Sequence, residues 1–117
     1  MGSLLNFKIM ENYFNHSTQY SLINSIEYAD GSIVSKIVKK NDAGNVTLFA
    51  FDKGQLLSEH TAPFDAMVYI LDGEAIIIIN KIEYELKAND FIIMPANIPH
   101  AVIAKEKFKM MLTMLKK

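Results

Sequence analysis

Two stretches decide how this chain folds. The first is Gly54-Gln-Leu-Leu-Ser-Glu-His60-Thr-Ala62-Pro-Phe-Asp65-Ala66-Met-Val-Tyr-Ile-Leu-Asp-Gly73. The second is Asn89-Asp90-Phe-Ile-Ile-Met-Pro95-Ala-Asn97-Ile-Pro99-His100. Each is a short apolar segment bounded by Gly, Asn, Asp and Pro, residues that favour turns through positive φ, a fixed φ or local side-chain bonds. Each also carries a histidine at one end of a segment with strand propensity.

The same grammar runs outward from these stretches. Turn signals recur at Asn41–Asn45, Asp52–Gly54, Asp72–Gly73, Asn80–Lys81, Ala88–Asp90, Pro95–Pro99 and Lys105–Lys107. The runs between them are rich in β-branched and aromatic residues, the pattern of an all-β sandwich or barrel. Asp72–Gly73 reads as a tight hairpin turn, and Asn80–Lys81 as another. Ile76–Ile79 shows no alternation and reads as a strand buried on both faces, with Glu74 and Lys81 as charged flanks against aggregation. In 107–115, Phe108, Met110, Leu112 and Met114 share one face; Lys109, Met111, Thr113 and Leu115 share the other. Residues 4–14 read either as a helical stripe (Leu5, Ile9, Met10, Tyr13, Phe14) or as a docked arm, and 20–28 as a short strand or a helical turn.

Composition narrows the function. The chain has 117 residues, 50% hydrophobic and 21% charged, as expected of one globular domain. It has no cysteine, which excludes disulfides, thiolate metal sites and a cysteine nucleophile. All 12 basic residues are Lys, and the net charge is −1. No basic face for nucleic acid is implied, and the locally basic end (Lys105, Lys107, Lys109, Lys116, Lys117) reads as a solvated strand face. The longest strongly apolar run, Ala75–Ile79, is too short to cross a membrane as a helix. The N-terminus shows no secretory pattern, so a cytoplasmic location is expected and the acceptor patterns at Asn15 and Asn45 read as chance. No phosphate-cradling loop, nucleophile elbow or dinucleotide fingerprint is present.

The two quoted stretches resemble the paired motifs of the cupin superfamily, a small β-barrel or jelly roll. The first family motif is Gly-x5-His-x-His-x3,4-Glu-x6-Gly, and the second is Gly-x5-Pro-x-Gly-x2-His-x3-Asn. Gly54, His60 and Gly73 fill the first at the right spacing; Ala62 stands at the second His position and Ala66 at the Glu position. Pro95 and His100 match the second; Asn89 and Asn97 replace its glycines and Ala104 its final Asn. Asn is the mildest replacement for Gly in a turn because it tolerates the left-handed region. The chain is most similar to small single-domain bacterial cupins with His-Thr-Ala-Pro-x-Asp-Ala and Met-Pro-Ala-Asn-x-Pro-His segments. The resemblance implies a cupin barrel (double-stranded β-helix) over residues 31–117. Residues 1–30 would be an arm, short strand or helix packed upon it.

The family's metal site uses three His and one Glu, of which this chain keeps His60 and His100. Strand alternation from His60 places Ser58 and Ala62 inward, and motif spacing adds Ala66, Val68, His100 and Val102 to the same pocket. Two imidazoles alone hold a divalent ion such as Fe, Mn, Ni or Zn weakly, so weak or no metal binding is expected. Asp65 is the nearest carboxylate to complete a set, although strict alternation aims it away from Ala66's face. Met94, Met110, Met111 and Met114 read as core filler rather than soft ligands, and Tyr69 and Tyr84 read equally as ligand-facing or half-buried. Three functions follow: a barrel binding a small molecule near His60 and His100, a metal-dependent dioxygenase or isomerase, or a metal-free enzyme with one of these histidines as base. The resemblance and the apolar 76–79 run together imply a homodimer.

Overall fold

The computed structural model describes residues 14–117. Eight strands form there: β1 (Ile33–Asn41), β2 (Gly44–Phe51), β3 (Leu56–His60), β4 (Asp65–Ile79), β5 (Ile82–Lys87), β6 (Phe91–Met94), β7 (His100–Ile103) and β8 (Phe108–Leu115). Outside the strands, the described chain holds a 3-10 turn at Leu22–Asn24, which answers the ambiguity over 20–28. The expectation for 4–13 lies outside the described residues. No helix among the described residues is long and apolar enough to cross a membrane.

The architecture is all-β, and β4 is its spine. The first part of β4, Asp65 to Gly73, pairs with β8 on one side, and its Ala66–Tyr69 segment pairs with β6 on the other. The second part, Glu74 to Ile79, pairs with β5, and its Ile76–Ile79 segment also pairs with β7. With β1 and β2 beyond β8, and β3 beyond β7, one curled sheet becomes a larger layer β1-β2-β8-β4-β6 and a smaller layer β5-β4-β7-β3. All these pairings are antiparallel.

This arrangement corrects the reading of Asp72–Gly73. The dipeptide is no hairpin turn: it lies inside β4, where the register with β8 shifts between Ile70 and Asp72. The extra residue and the positive φ of Gly73 (75°) bend the strand, so that it leaves one layer and enters the other. The Asn80–Lys81 turn does form a two-residue hairpin, with φ of 51° and 72° at its two residues, and closes β4 onto β5.

The main core lies between the layers. Phe51, Val68, Ile70, Ile77 and Phe108 are completely buried there, and Phe51 stacks on Phe108 at 4.6 Å. Ile76–Ile79 alternates after all: Ile77 and Ile79 point into this core, while Ile76 and Ile78 are only half-buried on the outer face. Met94 and Met110 are buried core residues, while Met111 and Met114 are half-buried. A second cluster forms on the outside of the larger layer. Ile26 covers Leu48 and Ala50, with Phe14, Leu22 and Met111 packed around them.

Lys109 corrects the expectation of a solvated basic face. It is 7% exposed, and its Nζ donates to the carbonyl of Ile23 at 2.6 Å. Beside it, the Tyr28 hydroxyl donates to the Asp72 carboxylate at 2.7 Å, and Lys36 donates to the Ser25 carbonyl at 2.9 Å. These bonds fasten the 20–28 segment across the larger layer. Burial, and then the Asp72 carboxylate as bond acceptor and as charge, hold the Tyr28 phenol well above the ordinary tyrosine range.

Candidate functional site

His60 ends β3 and His100 begins β7, and the two are register partners across that antiparallel pair. Their rings meet edge to face, with centroids 4.4 Å apart and planes at 66°. His100 is 5% exposed, whereas His60 opens to solvent. Each ring is oriented from behind by a backbone carbonyl: Ser58 O lies 2.7 Å from Nδ1 of His60, and Ile98 O lies 3.2 Å from Nδ1 of His100. A carbonyl only accepts, so both Nδ1 atoms carry the hydrogen. In the neutral rings both Nε2 atoms therefore keep their lone pairs.

Burial lowers the pKa of His100. The Ile98 carbonyl works against that shift, and the neighbouring His60 adds to it. The buried member of the pair is thus biased towards the neutral, accepting form.

Two turns bracket β6, one just before Phe91 and one between Met94 and His100. Asn97 adopts φ of 65° and donates its N–H to the Ala62 carbonyl at 2.7 Å. Asn89 adopts φ of 76°, donates its N–H to the Ile70 carbonyl, and accepts the Tyr69 hydroxyl on its side-chain oxygen at 2.7 Å. Both replacements for family glycines thus occupy the left-handed region that the motif requires. The Tyr69 bond gives Asn89 a role that glycine lacks, and it turns Tyr69 away from a ligand role. Tyr84 is 39% exposed on β5.

Asp65 is exposed at the start of β4, and its Oδ1 accepts the Ala96 N–H at 2.8 Å. With Asn97 held by Ala62, and the Pro99 carbonyl accepting the Asn80 N–H at 2.8 Å, the 95–99 turn is tied down at three points just before His100. Asp65 is a positioning residue for that turn and does not join the histidines as a third ligand. Among the described residues, no group of three or more His, Cys, Asp or Glu side chains gathers to hold a metal. Two imidazoles, one of them exposed, do not fit a firmly held catalytic ion.

The remaining expected pocket residues separate. The register slips between Leu57 and His60, and this bulge breaks the alternation from which Ser58 was placed inward; Ser58 is exposed. Ala62 is half-buried, while Ala66, Val68 and Val102 are 2%, 0% and 2% exposed within the main core. The histidine pair therefore sits at the mouth of a packed apolar barrel. A cleft of about 330 Å³ lies elsewhere, at the other end of the smaller layer, between Glu74–Ile76, Glu85–Lys87 and Lys105–Glu106.

The two motifs also close on each other at their far ends. Gly54, at φ 87°, donates its N–H to the Ala104 carbonyl at 2.7 Å, and the Ala104 N–H returns a bond to Gln55 at 2.9 Å. The first residue of one motif and the last of the other thus meet without the family's Asn side chain.

Comparison with known proteins agrees with this geometry. The family model described as "Cupin domain" matches residues 47–115. A conserved protein of unknown function from Streptococcus pyogenes is 35% identical, with a TM-score of 0.83 over 88% of this chain and 90% of that one. A cupin superfamily protein from Desulfitobacterium hafniense is 28% identical, with a TM-score of 0.83 over 89% and 95% of the two chains. A cupin 2 conserved barrel domain protein from Leptotrichia buccalis is 39% identical, with a TM-score of 0.80 over 83% of this chain and 47% of that one. A search of curated proteins finds no match. With both motif histidines paired across β3 and β7, and the motif span lying wholly inside the matched region, the chain belongs to the cupin family.

Proposed function

We propose that this protein binds a small, partly apolar molecule at the His60–His100 end of the barrel. One observation carries the reading: two imidazoles stand edge to face with centroids 4.4 Å apart, each with Nδ1 against a backbone carbonyl, which leaves Nε2 as the atom that meets a ligand. Such a pair accepts hydrogen bonds from an alcohol, phenol or enol. The apolar barrel end behind it, with Ile98 packed on the core that holds Ala66, Val68 and Val102, suits the ligand's carbon skeleton.

A metal-dependent cupin enzyme of dioxygenase or isomerase type is the second reading. The same two Nε2 atoms favour it, because they are the atoms that would face an ion. It needs further donors from substrate or water. The protein is read as a cytoplasmic homodimer in either case.

The test is a thermal-shift screen of small alcohols, phenols and enolisable acids, run with and without a chelator, on the protein and on its His60→Ala/His100→Ala variant. A ligand that stabilises only the unmodified protein, equally well under chelation, supports the binding reading. Stabilisation that vanishes under chelation moves the weight to the metal enzyme. A ligand that stabilises the variant equally well overturns the assignment of the site to these histidines.

A further inference from the structure

We propose that Ile82 and Tyr84 extend the histidine site across the inner face of β5, and that its ligand is a neutral hydroxyaryl carbonyl compound: the ligand's hydroxyl meets His60 and His100, and its carbonyl meets the Tyr84 hydroxyl. This deepens the ligand reading above and rests on it. Register fixes the rows on the inner face of the smaller layer. His60 lies opposite His100, His100 opposite Ile79, and Ile79 opposite Ile82. One row deeper, Leu57, Val102, Ile77 and Tyr84 are matched in the same way. Register partners share a face of the sheet, and Ile77, Ile79 and Val102 belong to the main core, so Ile82 and Tyr84 point inward as well.

Cover falls away along that face of β5. Leu86, opposite Ala75, is 6% exposed, Tyr84 is 39% and Ile82 is 56%. Inner faces of packed sheets are normally sealed by the facing layer. Here the larger layer covers Leu86 and leaves an apolar shelf beside the histidines. Such a shelf next to convergent polar groups is how small-molecule sites are built.

The two ends of the shelf select the chemistry. At one end the histidine Nε2 atoms accept; at the other the Tyr84 hydroxyl can donate. The Tyr28 and Tyr69 hydroxyls are taken up by Asp72 and Asn89, whereas that of Tyr84 has no hydrogen-bond partner among the described residues. His100 and Tyr84 stand two strands and one row apart, about 12 Å between backbones at ordinary sheet spacings. With a hydrogen bond of about 2.8 Å at one or both ends, the ligand's polar atoms lie about 6–9 Å apart, the span of one aromatic ring with a short side chain. Glu83 and Glu85 flank Tyr84 in the chain, so a neutral carbonyl suits that end and a carboxylate is repelled.

The test is calorimetric titration of the full chain with para-hydroxybenzylideneacetone and with para-butylphenol, a phenol of similar length without the carbonyl. The ketone is expected to bind about 10-fold more tightly, the worth of one hydrogen bond. Tyr84→Phe keeps the ring and should erase that difference while leaving the butylphenol affinity unchanged. A merely structural role for Tyr84 would weaken both compounds alike, and that result overturns the proposal. His60→Ala/His100→Ala should weaken both compounds by about 10-fold or more. A ketone preference that survives in Tyr84→Phe, or is absent from the unmodified protein, overturns the subsite alone. Binding of both compounds that is unchanged in the histidine variant overturns the ligand reading and this inference together. Tighter binding of para-hydroxycinnamate than of the ketone overturns the neutral carbonyl.

Should Tyr84→Phe fail to fold, the unmodified protein decides. Intermolecular NOEs from the methyl group of the bound ketone should reach the Tyr84 ring. NOEs from that methyl to the His100 ring instead would overturn the proposal.

Discussion

Replacing Gly73 with alanine tests the bend that turns one strand into the link between two layers. Gly73 has φ of 75°, and a left-handed conformation costs an L-residue about 1–2 kcal/mol. The added Cβ would sit closer to the Lys107 carbonyl oxygen than real Cβ atoms approach, and 2.9 Å from the Phe108 Cα. Neither neighbour is a flexible side-chain end. Phe108 is completely buried and stacked on Phe51, so relief of the clash must move core backbone. Overpacking of this kind costs about 1–3 kcal/mol. Against this, alanine restricts the unfolded chain and returns about 0.4–1 kcal/mol. The net loss is about 2–4 kcal/mol, a large part of the roughly 5–15 kcal/mol that holds a domain together. For a chain of this size that is a fall of about 8–20 °C in Tm.

Gly54→Ala provides the internal comparison. Its φ is 87°, but nothing lies within 4 Å of the added Cβ, so only the backbone cost remains, about 1 kcal/mol. Urea unfolding followed by circular dichroism measures both, with an unchanged m-value as the sign that the unfolded state is the same. If Gly73→Ala proves no less stable than Gly54→Ala, the close approach of β4 to the 107–108 backbone does not constrain the bend, and the reasoning fails.

Three further outcomes are expected. Because burial, aided by His60, keeps the folded pKa of His100 below its ordinary value of about 6.5, the unfolded chain gains a proton first as pH falls. The contribution of His100 to stability is therefore complete above that pH and declines below it, until the folded protein is protonated too. Urea midpoints across this range should fall less steeply in His100→Gln, and an equal slope would contradict the bias towards the neutral form. Ala62→His with Ala66→Glu should lose several kcal/mol without metal, because position 66 is 2% exposed and a lone buried carboxylate is costly. It should regain stability with Zn, Ni or Mn salts, and a thermal shift unmoved by metal would mean that these positions do not converge on His60 and His100. Lys109→Met keeps the buried stem but removes the bond to the Ile23 carbonyl, a loss of about 1–2 kcal/mol. Amide exchange around Leu22–Ile26 should quicken about 10-fold, and unchanged protection would show that this bond does not fasten the segment.

Much of this molecule was legible in the residues because its turns are chemically explicit. Asn80–Lys81, Asn89 and Asn97 announce positive φ, and all four residues adopt it. The two histidines were legible because a motif fixes their spacing and strand pairing does the rest. What escaped the sequence depends on partners distant along the chain. Asp and Gly suit a hairpin and a bulge equally well; only the continuation of β4 between β8 and β5 distinguishes them. Lys109 looks solvated until residues 20–28 fold across it, and that segment carries no periodicity to announce its path. The bulge before His60 likewise has no local signature. Asp65 offered a clue: a carboxylate in a turn commonly accepts a backbone N–H, as it does here from Ala96.

The sharing of β4 between both layers has a consequence for how the molecule comes apart. Four other strands depend directly on this one for their pairing, two at each end of it. Neither layer owns its central strand, so neither has the makings of an independent folding unit. Loosening at one end of β4 is carried to the other through a continuous backbone. A single cooperative unfolding event with no half-folded layer is the natural result, and most pairings in it must wait for residues distant along the chain. A chain cut at Gly73 would leave two fragments that each lack what the other needs, although together they would contain every strand.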